Sequence, residues 1–346
     1  MKKLKVIVLL CALMLFLDSF THDNPFLRIT RKDVELNVPK DFPKPVYDFK
    51  TNKLSPETFT LGRKLFYDPI LSRDSSTSCS SCHMRIAAFA HIDHPLSHGI
   101  NGLIGKRNVP ALQNLIWKDA LMDDGGVNNL EVQPLAPLTN KVEMDETLAH
   151  VLMKLRRSPG YAALFKAAFR DTGITSERML KALAQFTGLM ISSDSRYDRY
   201  VQKKDTFSHS EMNGLKLFRE RCANCHKEPL FTDNSYRNIG MAPDTSLNDP
   251  GRSLITGLDE DKMKFKVPSL RNVEMTYPYM HDGRFKKLEQ VLEFYSKGDF
   301  HGDYDKSLDK IKTLSKQEMQ DLVAFLKTLT DKTFLYDKRF ADPNYK

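Results

Sequence analysis

Apolar residues along this chain recur mostly at three- and four-residue intervals. In residues 281–298, HDGRFKKLEQVLEFYSKG, the side chains of Phe285, Leu288, Val291, Leu292 and Tyr295 share one helical face. Residues 147–169 and 176–201 keep the same period over longer stretches. Start signals agree with it. Ser55-Pro56-Glu57 places proline at a first helical position. Ser208-x-x-Glu211 and Ser315-x-x-Glu318 are capping-box patterns ahead of apolar runs. No series of alternating strands competes, so the pattern predicts a mainly α protein. The proline- and lysine-rich stretch 38–56 predicts an extended lead-in, assigned to residues 21–54.

At the N-terminus three lysines precede an apolar run from Val6 to Leu17. That is the layout of a secretory signal, and the run is shorter than the ~20 residues a membrane crossing needs. It predicts export to the periplasm, with residues 1–20 either cleaved near 19–22 or kept as a short anchor. Cys11 follows a poor lipobox, so lipidation is not expected.

The pattern also repeats. Residues 62–83 begin GRKLF and end CSSCH; residues 214–226 begin GLKLF and end CANCH. A helix carrying Leu-Phe leads twice into a loop with two cysteines and a histidine. This predicts two related domains, 55–200 and 206–335, followed by a tail, 336–346.

Composition changes this picture little. The 346 residues are 41% hydrophobic and 28% charged, as in globular proteins. The net charge is +8, falling to about +6 without residues 1–20. No dense basic run with interleaved aromatics argues for nucleic acid. A mild positive balance suits an acidic protein partner or anionic surface.

Cysteine placement changes it most. Four of the 5 cysteines lie in Cys79-Ser80-Ser81-Cys82-His83 and Cys222-Ala223-Asn224-Cys225-His226. Cys-x-x-Cys-His is the attachment pattern of c-type haem: two thiols add to two porphyrin vinyl groups, and the adjacent imidazole ligates iron. A zinc site would bring its halves closer in sequence, a redox dithiol would want a βαβ unit, and neither explains a histidine after both pairs. Two covalent haems are therefore expected, with His83 and His226 as axial ligands. The opposite ligand decides whether each haem carries electrons or does chemistry. His91, His94 and His98 follow the first motif in a glycine-containing loop and are candidates for the first iron.

Here the chain resembles the bacterial dihaem cytochrome c peroxidase family, including its MauG-type branch. The likeness spans about residues 50–330. It rests on LGRKLFYDPILS, KRNVPALQN, Val142-Glu143-Met144, KVPSLRNVEMTYPYMHDGRF and both haem motifs. The resemblance implies two cytochrome c-like domains. The N-terminal haem would be peroxidatic; the C-terminal haem would take electrons from a small donor, a c-type cytochrome or a cupredoxin. It makes Glu143 the active-site acid/base and Gln133 a polar pocket group. His98 matches the removable iron ligand, with His91 and His94 as substitutes. It implies a calcium ion held by the Asn108 side chain and the carbonyls of Thr276 and Pro278, and a homodimer, as is common in the family.

Two positions bear on the branch. Where the family usually has tryptophan between the haems, this chain has Asp123, which has no accessible redox state; its one tryptophan is Trp117. The position matching the second haem's methionine ligand is Tyr295, as in the MauG branch, while Met275 and Met280 precede His281 and fall out of register. A phenolate is hard and anionic and favours ferric and higher states. The leading expectation is a periplasmic cytochrome-c peroxidase reducing hydrogen peroxide to water. The alternatives are a MauG-type oxidase, using high-valent iron to oxidise a protein or small molecule, and a non-catalytic electron carrier.

Overall fold

The computed structural model describes residues 28–344. The expected export segment, residues 1–20, lies outside them. Among the described residues no helix is long and apolar enough to cross a membrane.

The chain is mainly helical, as the apolar spacing predicts, and among the described residues the only strands are a two-residue antiparallel pair, Tyr236–Arg237 with Phe265–Lys266. Helix Pro56–Tyr67 begins where its signals place it: the Ser55 side chain accepts from the Thr58 backbone N–H at 3.1 Å. Both capping boxes form, at Ser208/Glu211 and at Ser315/Glu318. The two long periodic stretches are each divided. Residues 147–169 hold helices Leu148–Arg157 and Tyr161–Phe169, separated at Ser158-Pro159-Gly160, since the residue before a proline is pushed out of the helical region. Residues 176–201 hold Ser176–Gly188 and Arg196–Val201. Between them the Ser193 and Asp194 N–H groups turn aside to the Asp331 carboxylate at 2.8 and 2.9 Å.

The repeat is built into the packing. In the first half, helix Pro56–Tyr67 crosses helix Ser176–Gly188; in the second, helix His209–Arg221 crosses helix Lys316–Lys327. The glycine that opens each GxKLF sits at the contact. A Cβ on Gly62 would lie 2.0 Å from the Ala182 carbonyl oxygen, and one on Gly214 1.9 Å from that of Asp321. Only glycine lets the backbones approach this closely. Phe66 and Phe218, four residues on, are each fully buried.

Each half has its own core. The first gathers Phe59, Leu65, Phe66, Phe165 and Phe186; the second Leu215, Phe218, Phe231, Leu322 and Phe325. The lead-in, the expected tail and the expected end of the second domain all join the first core. Val34, Phe42 and Phe49 of the lead-in are buried there, and so are Phe334, Leu335 and Phe340 from the far end of the chain. Phe340 packs among Phe59, Phe89 and Phe186, and its carbonyl accepts from the Tyr67 hydroxyl at 2.6 Å. The second half is thus enclosed in sequence by segments that fold onto the first.

Candidate active site

One helical turn accounts for each Cys-x-x-Cys-His. Cys79–Cys82 is such a turn, opened by reciprocal Ser78 and Ser81 hydrogen bonds and closed by the His83 N–H on the Cys79 carbonyl at 2.9 Å. In the second motif the His226 N–H reaches the Cys222 carbonyl at 3.0 Å. This brings both sulfurs and the imidazole of each motif together. None of the four motif cysteines is tied up in a disulfide.

The two motifs open onto one cavity of about 860 Å³ between the halves, lined by Cys82, His83, Cys222, Cys225 and His226. Cys79 packs against the first core behind Cys82. Each histidine is anchored through Nδ1: His83 on the Phe89 carbonyl at 2.6 Å, His226 on the carbonyls of Phe231 and Pro268 at 3.1 Å each. Nε2 is left for a metal, the usual second-shell arrangement of a ligating histidine. Burial pushes His83 down to about 4 and lowers His226 as well, so both are neutral, the ligating form.

The cavity also accommodates the acidic side chains of a haem. Lys118 and Lys266 line it, and neither forms an ion pair with a carboxylate among the described residues. Burial lowers both, Lys266 to about 8. Half-buried cations of this kind suit an anionic partner, and porphyrin propionates are such groups. Sequence reading missed these lysines, which no motif marks.

Glu143 and Gln133 line the same cavity. Asn140 donates to Glu143 Oε1 at 2.8 Å, and burial raises the Glu143 carboxyl above the ordinary range. A carboxyl poised this way can both take and return a proton. Tyr295 lines the other end, on helix Leu288–Lys297. Burial raises its phenol first, and the neighbouring Cys222 and Cys225 raise it further. Its hydroxyl makes no hydrogen bond to another described residue. Met280, set aside on register, also reaches this cavity, whereas Met275 packs against the first core.

His98 stands elsewhere. Its ring is 4.5 Å from that of His94 and 6.3 Å from that of His91, and none of the three lines the cavity. Its carbonyl accepts from the Cys82 sulfur at 3.2 Å, so its backbone, not its imidazole, borders the first motif. Asn108, Thr276 and Pro278 all border the cavity, and the Asn108 amide donates to the Pro95 carbonyl at 2.9 Å. Asp123 lines the cavity between the halves, its carboxyl raised by burial. Trp117 does not: its indole donates to the Pro43 carbonyl at 2.7 Å and stacks edge-on against Phe42 in the first core.

A second echo lies beside the motifs. Val109-Pro110-Ala111-Leu112-Gln113-Asn114 and Val267-Pro268-Ser269-Leu270-Arg271-Asn272 match, and Asn114 and Asn272 both adopt left-handed backbone (φ 55° and 57°) before a short 3-10 turn. The two asparagines meet at Ser192: Asn114 pairs with its backbone at 2.9 and 3.1 Å, and Asn272 donates to its hydroxyl at 3.0 Å.

Comparison with known proteins agrees. The description "Di-haem cytochrome c peroxidase" fits residues 56–206, and "Cytochrome c" fits residues 211–330. The chain is 36% identical to methylamine utilization protein MauG of Methylorubrum extorquens, over 84% of this chain and 82% of that one. It is 32% identical to cytochrome c551 peroxidase of Nitrosomonas europaea, over 78% and 79%. Among solved structures it resembles a MauG-like protein associated with microbial copper homeostasis, with TM-score 0.82 and 33% identity over 89% of this chain and 99% of that one. The diheme peroxidase BthA of Burkholderia thailandensis superposes with TM-score 0.71 at 26% identity, over 82% and 88%. With two haem-attachment motifs facing one cavity, and a carboxylate and a phenol at its two ends, the chain belongs to the di-haem cytochrome c peroxidase family of oxidoreductases, which includes MauG, and carries two c-type haems.

Proposed function

We propose that this protein is a peroxide-dependent oxidase of the MauG type, exported to the periplasm by its N-terminal segment. One observation carries the choice: the Tyr295 hydroxyl faces the cavity beside Cys222 and Cys225 without a hydrogen-bond partner. As a hard oxygen donor to the second haem, Tyr295 would favour an oxidised centre over an electron relay.

When bound, the haems supply iron that accepts and stores the oxidising power of peroxide. The remaining chemistry belongs to the protein. Glu143 takes the proton from one peroxide oxygen and returns it to the other, so that the departing oxygen leaves as water. Asn140 fixes the orientation of that carboxylate, and Gln133 offers an amide to the entering peroxide. His83 and His226 are held by backbone carbonyls so that their Nε2 atoms stay directed at the metals. The Asn108 side chain and the carbonyls of Thr276 and Pro278 would supply neutral oxygens to a calcium ion.

A second reading, a cytochrome c peroxidase fed by a small cytochrome or cupredoxin, is favoured by Met280, which lines the same cavity. Tyr295→Phe and Met280→Leu separate the two. In the oxidase reading, Tyr295→Phe changes the optical and EPR signals of the C-terminal haem, Met280→Leu leaves them alone, and peroxide reacts with the fully oxidised protein. If only Met280→Leu changes those signals, and peroxide reacts only after partial reduction, the oxidase reading is wrong.

A further inference from the structure

The three histidines after the first motif are not used by the chemistry above, yet they are brought together. The ligand-capable nitrogens of His91, His94 and His98 all lie within 4.8 Å of one another. The rings of His91 and His94 stack at 5.2 Å, and His98 meets His94 edge-on at 4.5 Å. His91 is only 9% exposed, and its Nδ1, like that of His98, is buried with no hydrogen-bond partner. An unpartnered buried nitrogen costs about 1–3 kcal/mol. Two of them converging on a third imidazole are not explained by packing.

The loop holding them is anchored at several points. The Ser97 N–H reaches the Arg107 carbonyl at 2.9 Å, the Gly99 N–H that of Leu103 at 2.8 Å, and the Ile100 N–H that of Glu143 at 2.8 Å. Asn108 holds the Pro95 carbonyl at 2.9 Å. His91 and His98 are thus presented from a tied backbone, while His94 is exposed and leaves one side open to solvent.

We propose that His91, His94 and His98 form a binding site for a divalent transition-metal ion of the zinc or copper class, with three imidazole ligands and an open fourth position. Imidazole suits these ions, and no carboxylate is in the set to favour calcium or magnesium. Zinc–nitrogen bonds of ~2.0–2.1 Å in a tetrahedron place nitrogens ~3.4 Å apart. The widest of these separations needs to close by about 1.4 Å. The site is separate from the haem irons, because none of its rings lines the haem cavity.

The test uses the full haem-loaded protein and Zn²⁺ alone, read by calorimetry and by zinc X-ray absorption. The expected result is one Zn²⁺ per chain with three nitrogen ligands and one oxygen at about 2.0 Å. His94→Ala should weaken it by more than about 100-fold, since even outer-shell changes cost 10–100-fold. His91→Ala should do the same, while Mg²⁺ and Ca²⁺ should not compete. His94 is exposed, so its replacement leaves the fold intact; unchanged haem spectra and melting temperature verify that. Zinc binding of the same affinity and stoichiometry in wild type and His94→Ala, or a spectrum without three nitrogens, overturns the proposal.

Discussion

The two halves share a scaffold and differ in what faces the metal. In both, a glycine-centred helix crossing holds the motif helix against the half's last long helix. In both, a histidine is fixed through Nδ1 by a phenylalanine carbonyl, and a left-handed asparagine opens a 3-10 turn. The first half then presents Glu143 and Gln133 to the cavity, the second Tyr295. The duplicated parts bind haem; the unduplicated side chains divide the labour. In the proposed function the carboxylate would handle protons at the first haem, and the phenol would act as a hard oxygen donor at the second.

Removing the carboxylate should break this division most sharply. Glu143→Gln keeps the shape and the Asn140 contact but cannot carry a proton. The rate of the peroxide reaction should fall by about 10²–10⁴, while the C-terminal haem's spectrum is unchanged. In the wild type, the raised Glu143 carboxyl places the acid limb of the rate profile above the ordinary glutamate range: the base form, and with it the rate, grows as pH rises through that value. The limb should vanish in Glu143→Gln. Stopped-flow spectroscopy across pH reads both; an unchanged limb removes Glu143 from the role.

The second-largest effect comes from the one substitution within the matched VPxL[QR]N segments that alters charge. Gln113 of the first half is answered by Arg271 of the second. Arg271 is fully buried and grips Asp198 through two bonds of 2.7 and 2.8 Å. Arg271→Gln makes the halves alike but leaves Asp198 charged and unpaired in the interior. The loss should be about 3–5 kcal/mol, against about 0.5 kcal/mol or less for an ordinary surface change. Denaturant unfolding of the haem-loaded protein measures it; if Gln113→Ala costs as much, charge is not the reason.

Third come the crossings. Gly62→Ala and Gly214→Ala each place a methyl about 2 Å from a backbone oxygen. Each should cost about 1–3 kcal/mol. Because the crossings are equivalent, the two losses should agree closely, with hydrogen exchange localising each to its own half. Markedly unequal costs would show that one crossing is looser and that the repeat is only nominal.

What could be read from residues alone follows the range of the interactions. The helices, their caps and the haem motifs are local patterns, and Gly62 and Gly214 announced the repeat before any packing was known. Family register singled out Glu143, Gln133 and Tyr295, but not that one cavity would gather all three. The VPALQN–VPSLRN echo was present in the letters and was passed over. Three things depend on distant chain and leave no local mark. The return of Phe334–Phe340 to the first core joins segments almost 300 residues apart. Lys118 and Lys266 meet only in the cavity. The His98 ring lies toward His94, not toward the haem cavity, because tied loop backbone sets its direction.

The smallest expected effect tests the ground between the halves. Asp123 lines the shared cavity at the position where the family resemblance leads one to expect tryptophan, and burial raises its carboxyl. A carboxyl whose folded pKa is raised binds more protons folded than unfolded, so it costs stability as pH rises through that value. Asp123→Asn should therefore flatten the melting temperature against pH and raise it slightly near neutrality. Asp123→Trp should do the same and also place a redox-active ring between the haem sites. If the halves communicate through this wall, electron exchange between the haems, read after flash reduction of one of them, quickens in Asp123→Trp and not in Asp123→Asn. Equal rates in both variants would mean that the aspartate never interrupted the route. The exchange would then run along another wall of the cavity, and the halves would be coupled by their packing alone.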